Sequence, residues 1–421
     1  MSRSSGGQPS IAYVMTHYPR VALSFISGEI DEIEALGATI HPIAMNIPGE
    51  EDLLSEDARA RRAKTHYLKR GWGGLLGTFA ATFLRHPVGM TRLVTKALTS
   101  ARGDIPLSAR RMSHLVQAAT VAEICHRRGI PHLHAQFGQA PATIAWFASE
   151  ILNHRRAGSA RWSFTIHGFH DFVNETVARL DLKAASASFV VCVSDFTRSQ
   201  LYRLLHPSLW SRAHVVRCGI DLAHFAPRDP RPPSSPPKVI SVGRLSSEKG
   251  QVILLRACKL LIDRGIDVRL TFVGSGPLEE LIRSEASSCG MDRHVRLTGE
   301  LPAEAVRQEL EDSDLFCLTS FAEGLPISIM EAMAVGVPLV ATSIAGIPEL
   351  AVDGATALTV PPGNVEALAE AIGRLLSDTQ LRDRIVASAR KQVEAQHDRH
   401  RNAAALYELF ASQSEVSGGR V

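Results

Sequence analysis

After Pro237 the chain alternates between short apolar runs and stretches of helical period, and few folds can accommodate that alternation. "KVISVGRL" (238–245) precedes "GQVILLRACKLLIDRG" (250–265), and "VRLTFVGSGP" (268–277) precedes a helix from Leu278. "HVRLTGEL" (294–301) precedes "AEAVRQELEDS" (303–313), and "LFCLTS" (315–320) precedes "PISIMEAMAV" (326–335). "PLVAT" (338–342) is a further strand, and "EALAEAIGRLLSD" (366–378) a later helix. Strands that alternate with helices require a parallel sheet with right-handed crossovers, which is a doubly wound α/β domain.

The first half repeats the pattern less regularly. "PSIAYVMTHYPR" (9–20) holds a first strand, and "SFISGEIDEIEALGATIHPIAM" (24–45) holds a helix ended by Gly37 and a second strand. "IPHLHAQFG" (130–138), "RWSFTIHGF" (161–169) and "SFVVCVS" (188–194) supply more strands. Between the halves lies "APRDPRPPSSPP" (226–237), a composition that disfavours helix and central strand and behaves as a stiff connector. The expected organisation is therefore residues 1–225, a linker at 226–237, residues 238–395, and a final helix in 396–421 that packs back toward the first domain. Two such sheets joined by a hinge would face each other across a cleft suited to two substrates.

Composition narrows the function. The 421 residues are 45% hydrophobic and 21% charged with a net charge of +3, an ordinary globular balance that argues against a nucleic-acid partner. The six cysteines are scattered without a CxxC pair, as expected of reduced thiols in a cytosolic protein. "MSRSSGGQPS" is polar, so no signal peptide is expected, and no apolar run reaches the roughly 18 residues of a spanning helix. No HExxH, no cysteine–histidine cluster, no Walker lysine loop and no GxSxG is present, so no metal site is expected. From Arg59 to Arg111, twelve Lys or Arg residues stand against one acid, Asp104, and alternate with Tyr67, Trp72, Leu75, Leu76, Phe79, Phe83 and Leu84. Two readings fit: an amphipathic surface for anionic lipid, or helix faces of the core with a solvated basic rim.

The segment "SDLFCLTSFAEGLPISIMEAMAVGVPLVAT" (313–342) places two glutamates, Glu323 and Glu331, eight positions apart in apolar surroundings. Glu323 falls in a strand-to-helix loop and Glu331 in the second turn of the helix that Gly336 and Pro338 end. Open parallel sheets bind ligands outside such strand ends, and the helix start near Gly324 and Leu325 favours an anion. Either Glu323 caps the helix and Glu331 is a solvated helix residue, or the carboxylates meet hydroxyls of a ligand whose anionic part sits at the helix. A nucleotide sugar has both groups. Arg244 and Lys249 of "GRLSSEKG" (243–250) lie five apart where both could reach a diphosphate. "VGSGP" (273–277) is a tight turn that brings backbone close to a ligand. His167 follows a strand in "FTIHGFHDF" (164–172), and "HYPR" (17–20) ends the first strand.

Taken together, "GRLSSEKG", "VGSGP", "LTGEL", "FAEGLPISIMEAMAVGVPLVAT", "AGIPEL" and "GNVEALAEAI" resemble the group 4 retaining glycosyltransferases of GT-B fold in order and spacing. "YPRVALSFISGEIDEIEALG" and "HAQFG" are similar to the bacterial exopolysaccharide and colanic-acid type, although "THYPRVALSF" replaces the usual glycine-rich loop after the first strand. The resemblance implies a metal-independent, retaining transferase. It would move a sugar from a nucleotide-diphosphate donor, with no cofactor, to a saccharide or polyprenyl-linked saccharide acceptor. Such an enzyme is expected in the cytoplasm, peripherally on the membrane. Glu323 would contact the donor sugar, with His167 approaching from the first domain. Glu331 would hold the ribose, Arg244, Lys249, Gly324 and Leu325 the diphosphate, and Ser275, Thr298, Gly299, Glu300 and Leu301 would border the base. Tyr18, Arg20 and His134 would lie on the acceptor side. A sugar-nucleotide epimerase of the same fold, a silent scaffold subunit and a pyridoxal-phosphate phosphorylase are the alternatives.

Overall fold

The computed structural model describes residues 8–53, 55–156 and 160–415. These divide into two compact units, each with its own parallel sheet. One unit takes the chain up to Arg20, Ile30–Val216 and the chain from Ala403; the other takes Val21–Glu29 and Arg217–Asn402.

The first sheet contains β1 (Ser10–His17), β2 (Thr39–Asn46), β3 (His66–Tyr67), β4 (His132–Gln136), β5 (Arg161–Ile166), β6 (Phe189–Cys192) and β7 (Ala213–Val215). The second contains β8 (Lys238–Val242), β9 (Arg269–Val273), β10 (Val295–Leu297), β11 (Leu315–Leu318), β12 (Leu339–Thr342) and β13 (Leu358–Val360). Their orders are β3-β2-β1-β4-β5-β6-β7 and β10-β9-β8-β11-β12-β13, the doubly wound arrangement the alternation predicts. The central strands are buried throughout, as in β11 and β12, because helices cover both faces of a parallel sheet. In each sheet the order reverses once, between β1 and β4 and between β8 and β11. Open parallel sheets generally take ligands outside the strand ends at such a reversal.

The proline-rich run 226–237 is not a free connector, which corrects the expected linker. The Arg228 amide donates to Val335 O at 3.0 Å and its guanidinium to Glu311 O at 2.9 Å. Arg231 pairs with Asp314 at 2.9 Å and donates to Asp312 O at 2.8 Å. Carbonyls at the end of helix Ala303–Asp312 lack partners within the helix, so the two arginines satisfy them and tie the run to the second unit. The chain changes unit instead between Val216 and Arg217, ahead of the boundary expected at 225. Residues Val21–Glu29, expected in the first domain, group with the second, and the last helix, Arg399–Glu415, starts in the second unit and joins the first from Ala403.

The basic stretch between β2 and β4 folds into helices Glu56–Lys64, Trp72–Arg85, Pro87–Ser100 and Ile105–Arg128. Part of its charge is engaged. Arg61 pairs with Asp57 at 2.6 Å and Asp31 at 2.7 Å, Arg62 with Glu50 at 3.0 Å, and Lys96 with Glu150 at 2.7 Å, while buried Arg111 donates to Thr143 Oγ1 at 2.8 Å. The stretch presents both kinds of side chain to solvent: Arg59, Lys64, Lys69, Arg92, Arg102 and Arg110 are exposed, and so are Trp72, Leu76, Leu84, Val88, Leu98 and Ile105, Leu84 by 81% and Ile105 by 80%. No helix among the described residues is long and apolar enough to cross a membrane.

Candidate active site

The loops leaving β8 and β11 meet at an ion pair. After β8 the chain makes a short 3-10 turn, Ser247–Lys249, and Gly250 then starts helix Gln251–Asp263. Lys249 Nζ lies 2.6 Å from Glu323 Oε1, and Ser320 Oγ donates to the same oxygen at 2.7 Å. The two loops are also zipped through their backbones. Phe321 N donates to Glu248 O at 2.7 Å, and Thr319 Oγ1 donates to Gly250 O at 2.9 Å. Glu323 is thus buried and oriented from two sides, whereas Arg244 is exposed and its guanidinium has no partner among the described residues. Buried Gln251, which sequence reasoning missed, fixes the Arg244 backbone by donating to its carbonyl at 2.8 Å.

On the other side of β8, Leu245 N donates to Ser275 O at 2.8 Å, and Gly274 N to Gly299 O at 2.9 Å. The glycines of "VGSGP" have a reason other than the ligand approach expected of them. A β-carbon on Gly274 or Gly276 would lie 2.3 Å from the carbonyl oxygen of Gly243 or of Leu245, so they let one loop's backbone press on the next. Ser275 Oγ donates to Glu300 Oε1 at 2.9 Å, and Thr298 Oγ1 to Gly299 O at 2.9 Å. Leu301 follows them and is partly buried. Contact by contact, the assembly runs from Glu323 through Lys249 and the β8 loop to Ser275 and Glu300.

Helix Ile327–Val335 starts at Pro326 without a side-chain cap; the Ile329 amide donates to Pro326 O at 3.2 Å, and the amides of Ile327 and Ser328 find no acceptor among the described residues. Gly324 and Leu325, just ahead of it, find no acceptor for their amides among the described residues. The result is an electropositive helix start next to Glu323. Glu331, partly buried in the second turn, accepts no hydrogen bond among the described residues, and burial pushes its carboxyl up to about 8. A carboxyl left without a protein donor is suited to a ligand that brings hydroxyls.

His167 follows β5 in the first unit, where residues invisible to sequence reasoning hold it. Asp171 is buried and accepts from the amides of Gly138 at 2.7 Å and His167 at 2.9 Å; burial, opposed by those bonds, raises its carboxyl to about 6. Lys183, with no exposed surface, donates to Gly138 O at 2.6 Å and Gln139 O at 2.9 Å. His167 Nε2 meets Gln136 Oε1 at 2.6 Å, and its ring centroid lies 4.5 Å from that of Phe137. Burial pushes the imidazole down to about 3, so it is neutral.

Two acceptor-side expectations do not survive. His134 has no exposed surface; its ring nitrogens meet Ser163 Oγ at 2.8 Å and Thr165 Oγ1 at 2.9 Å, and its ring packs on Tyr13 and Phe410. Tyr18 is 2% exposed, accepting from Arg61 at its hydroxyl and from the Tyr67 hydroxyl at its carbonyl. Both are core residues, since a half-polar strand does not reveal which face its polar side chains line. Arg20 stays partly exposed, 3.7 Å from Asp52. No group of three or more metal-ligating side chains occurs among the described residues.

Residues 224–392 match the family described as Glycosyl transferases group 1. A protein of Escherichia coli K12 described as a colanic acid biosynthesis glycosyltransferase, WcaL, is 34% identical over 213 residues, 49% of this chain and 52% of that protein. The match thus spans about half of that relative's length. Its counterpart in Salmonella typhimurium LT2 is 25% identical over 91% of this chain and 95% of its own. Among solved structures, Anabaena Alr3699/HepE in complex with UDP and glucose shares the fold with a TM-score of 0.72, at 19% identity, covering 96% of this chain and 100% of that one.

Proposed function

We propose that this chain, whose residues 224–392 match the group 1 glycosyltransferases, moves a sugar from a nucleoside-diphosphate donor to a saccharide acceptor in the synthesis of a bacterial surface polysaccharide. The observation that carries the reading is the pairing of Lys249 with Glu323 beside an uncapped helix start and an unpaired Arg244. Similarity to colanic-acid enzymes and a shared fold with a UDP-bound protein support the substrate class.

Each residue then has a chemical task. The departing diphosphate gains negative charge in the transition state, and Arg244, Lys249 and the amides near Leu325 lie where that charge is stabilised without a divalent ion. Glu323, held by Lys249 and Ser320, presents its second oxygen to the donor sugar. Glu331 takes the ribose hydroxyls, and Ser275, Thr298, Gly299, Glu300 and Leu301 border the base. Retention follows from front-face attack: the C1–O bond to phosphate breaks and the acceptor oxygen bonds C1 on the same face. The acceptor's proton passes to the departing phosphate oxygen. The acceptor is a lipid-linked saccharide, reached at an anionic membrane surface on the cytoplasmic side, with the exposed apolar side chains of residues 72–105 as the contact.

The test is transfer in the presence of EDTA, with the product's anomeric configuration read by NMR. Retained configuration and full activity are expected. Inverted product overturns the mechanism, and loss of activity restored by a divalent ion overturns metal independence.

A further inference from the structure

In the second unit, the loop after β10 leaves a carboxylate oxygen and two backbone donors open within two residues. Gly274 N donates to Gly299 O at 2.9 Å and Thr298 N to Phe272 O at 3.1 Å, so this loop is pinned to β9 and the loop that follows it. Gly299 turns the chain with φ +73°, and Glu300 and Leu301, both partly buried, come next. Ser275 Oγ donates to Glu300 Oε1 at 2.9 Å, which orients the carboxylate. Glu300 Oε2 receives no donor, and the amides of Glu300 and Leu301 find no acceptor, among the described residues. Because β8, β9 and β10 are neighbours in one parallel sheet, these groups stand at the same edge as Lys249, two strands along. Partly buried polar groups left open at a ligand-binding edge suit a ligand that brings both donors and an acceptor.

We infer that Glu300 makes this subsite select guanine, so that the donor is a guanosine-diphosphate sugar. The inference rests on the proposed place of the base beside residues 298–301 and adds which base it is. A carboxylate only accepts hydrogen bonds, so it favours a base edge rich in donors and repels one rich in lone pairs. Guanine carries N1–H and N2–H side by side, which match the two oxygens of a carboxylate, with O6 next to them for a backbone amide. Uracil has a single donor, N3–H, between two carbonyl oxygens, so a carboxylate that accepts from it meets an oxygen lone pair at once. Adenine brings one amino donor beside a bare ring nitrogen. The expected order is therefore GDP, then ADP, then UDP. Ser275 is a positioning residue: by holding Oε1 it keeps the carboxylate from swinging away from the base.

Base selection is measurable without turnover. Calorimetric titration of the full chain with GDP, ADP, UDP and inosine diphosphate, which lacks the 2-amino group of guanine, reads each contact. The wild type should bind GDP about tenfold or more tighter than UDP, the scale of one good bidentate base contact, and tighter than inosine diphosphate. Glu300→Gln should weaken GDP by a similar factor and narrow its lead over inosine diphosphate. UDP binding should hold or improve in that variant, because the uracil carbonyls no longer face a negative charge, and its retention shows that the protein is folded. Ser275→Ala should reduce the preference for GDP in part and leave UDP unchanged. A wild type that binds UDP as tightly as GDP overturns the inference, and so does a Glu300→Gln protein weakened equally for all four nucleotides. Tight UDP binding with transfer from a UDP-sugar would sink guanine selection alone, whereas binding of none of the four would sink the proposed donor class with it.

Discussion

Glu323 Oε1 is shared by two donors, Lys249 Nζ at 2.6 Å and Ser320 Oγ at 2.7 Å, which leaves Oε2 as the oxygen for a ligand. Lys249 is therefore not an isolated cation awaiting phosphate. Its charge is partly spent on Glu323 in the free protein, and Arg244 is the more available partner for a diphosphate.

Lys249→Ala should do two kinds of damage, loosening Glu323 and removing a positive charge from the leaving group. Transfer should fall by about 3 kcal/mol in barrier terms, the scale for one lost transition-state donor. Glu323→Gln should cost a similar amount with little change in nucleoside-diphosphate affinity. Because the two side chains touch, the double variant should lose less than the sum of the single losses. Steady-state kinetics on the four proteins checks this, and strict additivity would mean the pair does not act as a unit.

Glu331 gives a pH signature. Its folded-state pKa is raised to about 8 from an ordinary 4.5, so between those values the folded protein binds more protons than the unfolded chain. Stability from this group is then lost as pH rises from about 4.5 to 8. Glu331→Gln should flatten that slope and make the free protein more stable at pH 8 by at least about 1 kcal/mol. The same variant should bind nucleoside diphosphate more weakly. Urea unfolding at several pH values and calorimetric titration read the two effects, and an unchanged slope would exclude Glu331 as its source.

The second sheet was legible because its strands announce themselves. "LFCLTS" and "PLVAT" are apolar on both faces, and Gly265 and Gly336 stop helices where the period ends. The Glu323 and Glu331 positions followed from that register. The linker was misread because proline content reports backbone preference, whereas Arg228 and Arg231 dock the segment through contacts distant in sequence. His134 was misread because alternation shows that a strand has two faces without showing which is covered by Phe410 from the chain's far end. Lys183 sits in the unremarkable "LDLKAAS", and only the fold brings it to the Gly138 carbonyl.

Lys183 is accordingly a test of the first unit's architecture. Replacing it with Met leaves the carbonyls of Gly138 and Gln139 without their buried donor and Asp171 without a nearby cation. The expected destabilisation is about 3 kcal/mol or more, as when one partner of a buried charged set is removed. Chemical denaturation measures it. A loss below about 0.5 kcal/mol, the range of ordinary surface substitutions, would mean that the lysine is dispensable there.

Membrane contact separates two physical causes. Lys and Arg near an anionic bilayer contribute about 1 kcal/mol each and are screened by salt. Burying a large apolar side chain contributes about 1.5–3 kcal/mol and is not screened. Arg61, Arg62 and Lys96 already pair with acids. Trp72, Leu76 and Leu84 by contrast recur every four or eight residues on one helix and are exposed, with Val88 beginning the next helix. Exposed Arg59, Lys64, Lys69, Arg92, Arg102 and Arg110 supply the screened part of the attraction. Insertion of the stripe should therefore dominate. Liposome sedimentation should weaken in high salt yet persist, and a Trp72→Ser, Leu76→Ser, Leu84→Ser variant should lose it while nucleoside-diphosphate binding stays intact. Reversing Arg92 and Arg102 to Glu should reduce binding only on anionic vesicles. If the serine variant sediments like the wild type, the stripe does not enter lipid; if salt alone abolishes wild-type binding, the attraction is electrostatic and the apolar residues are bystanders.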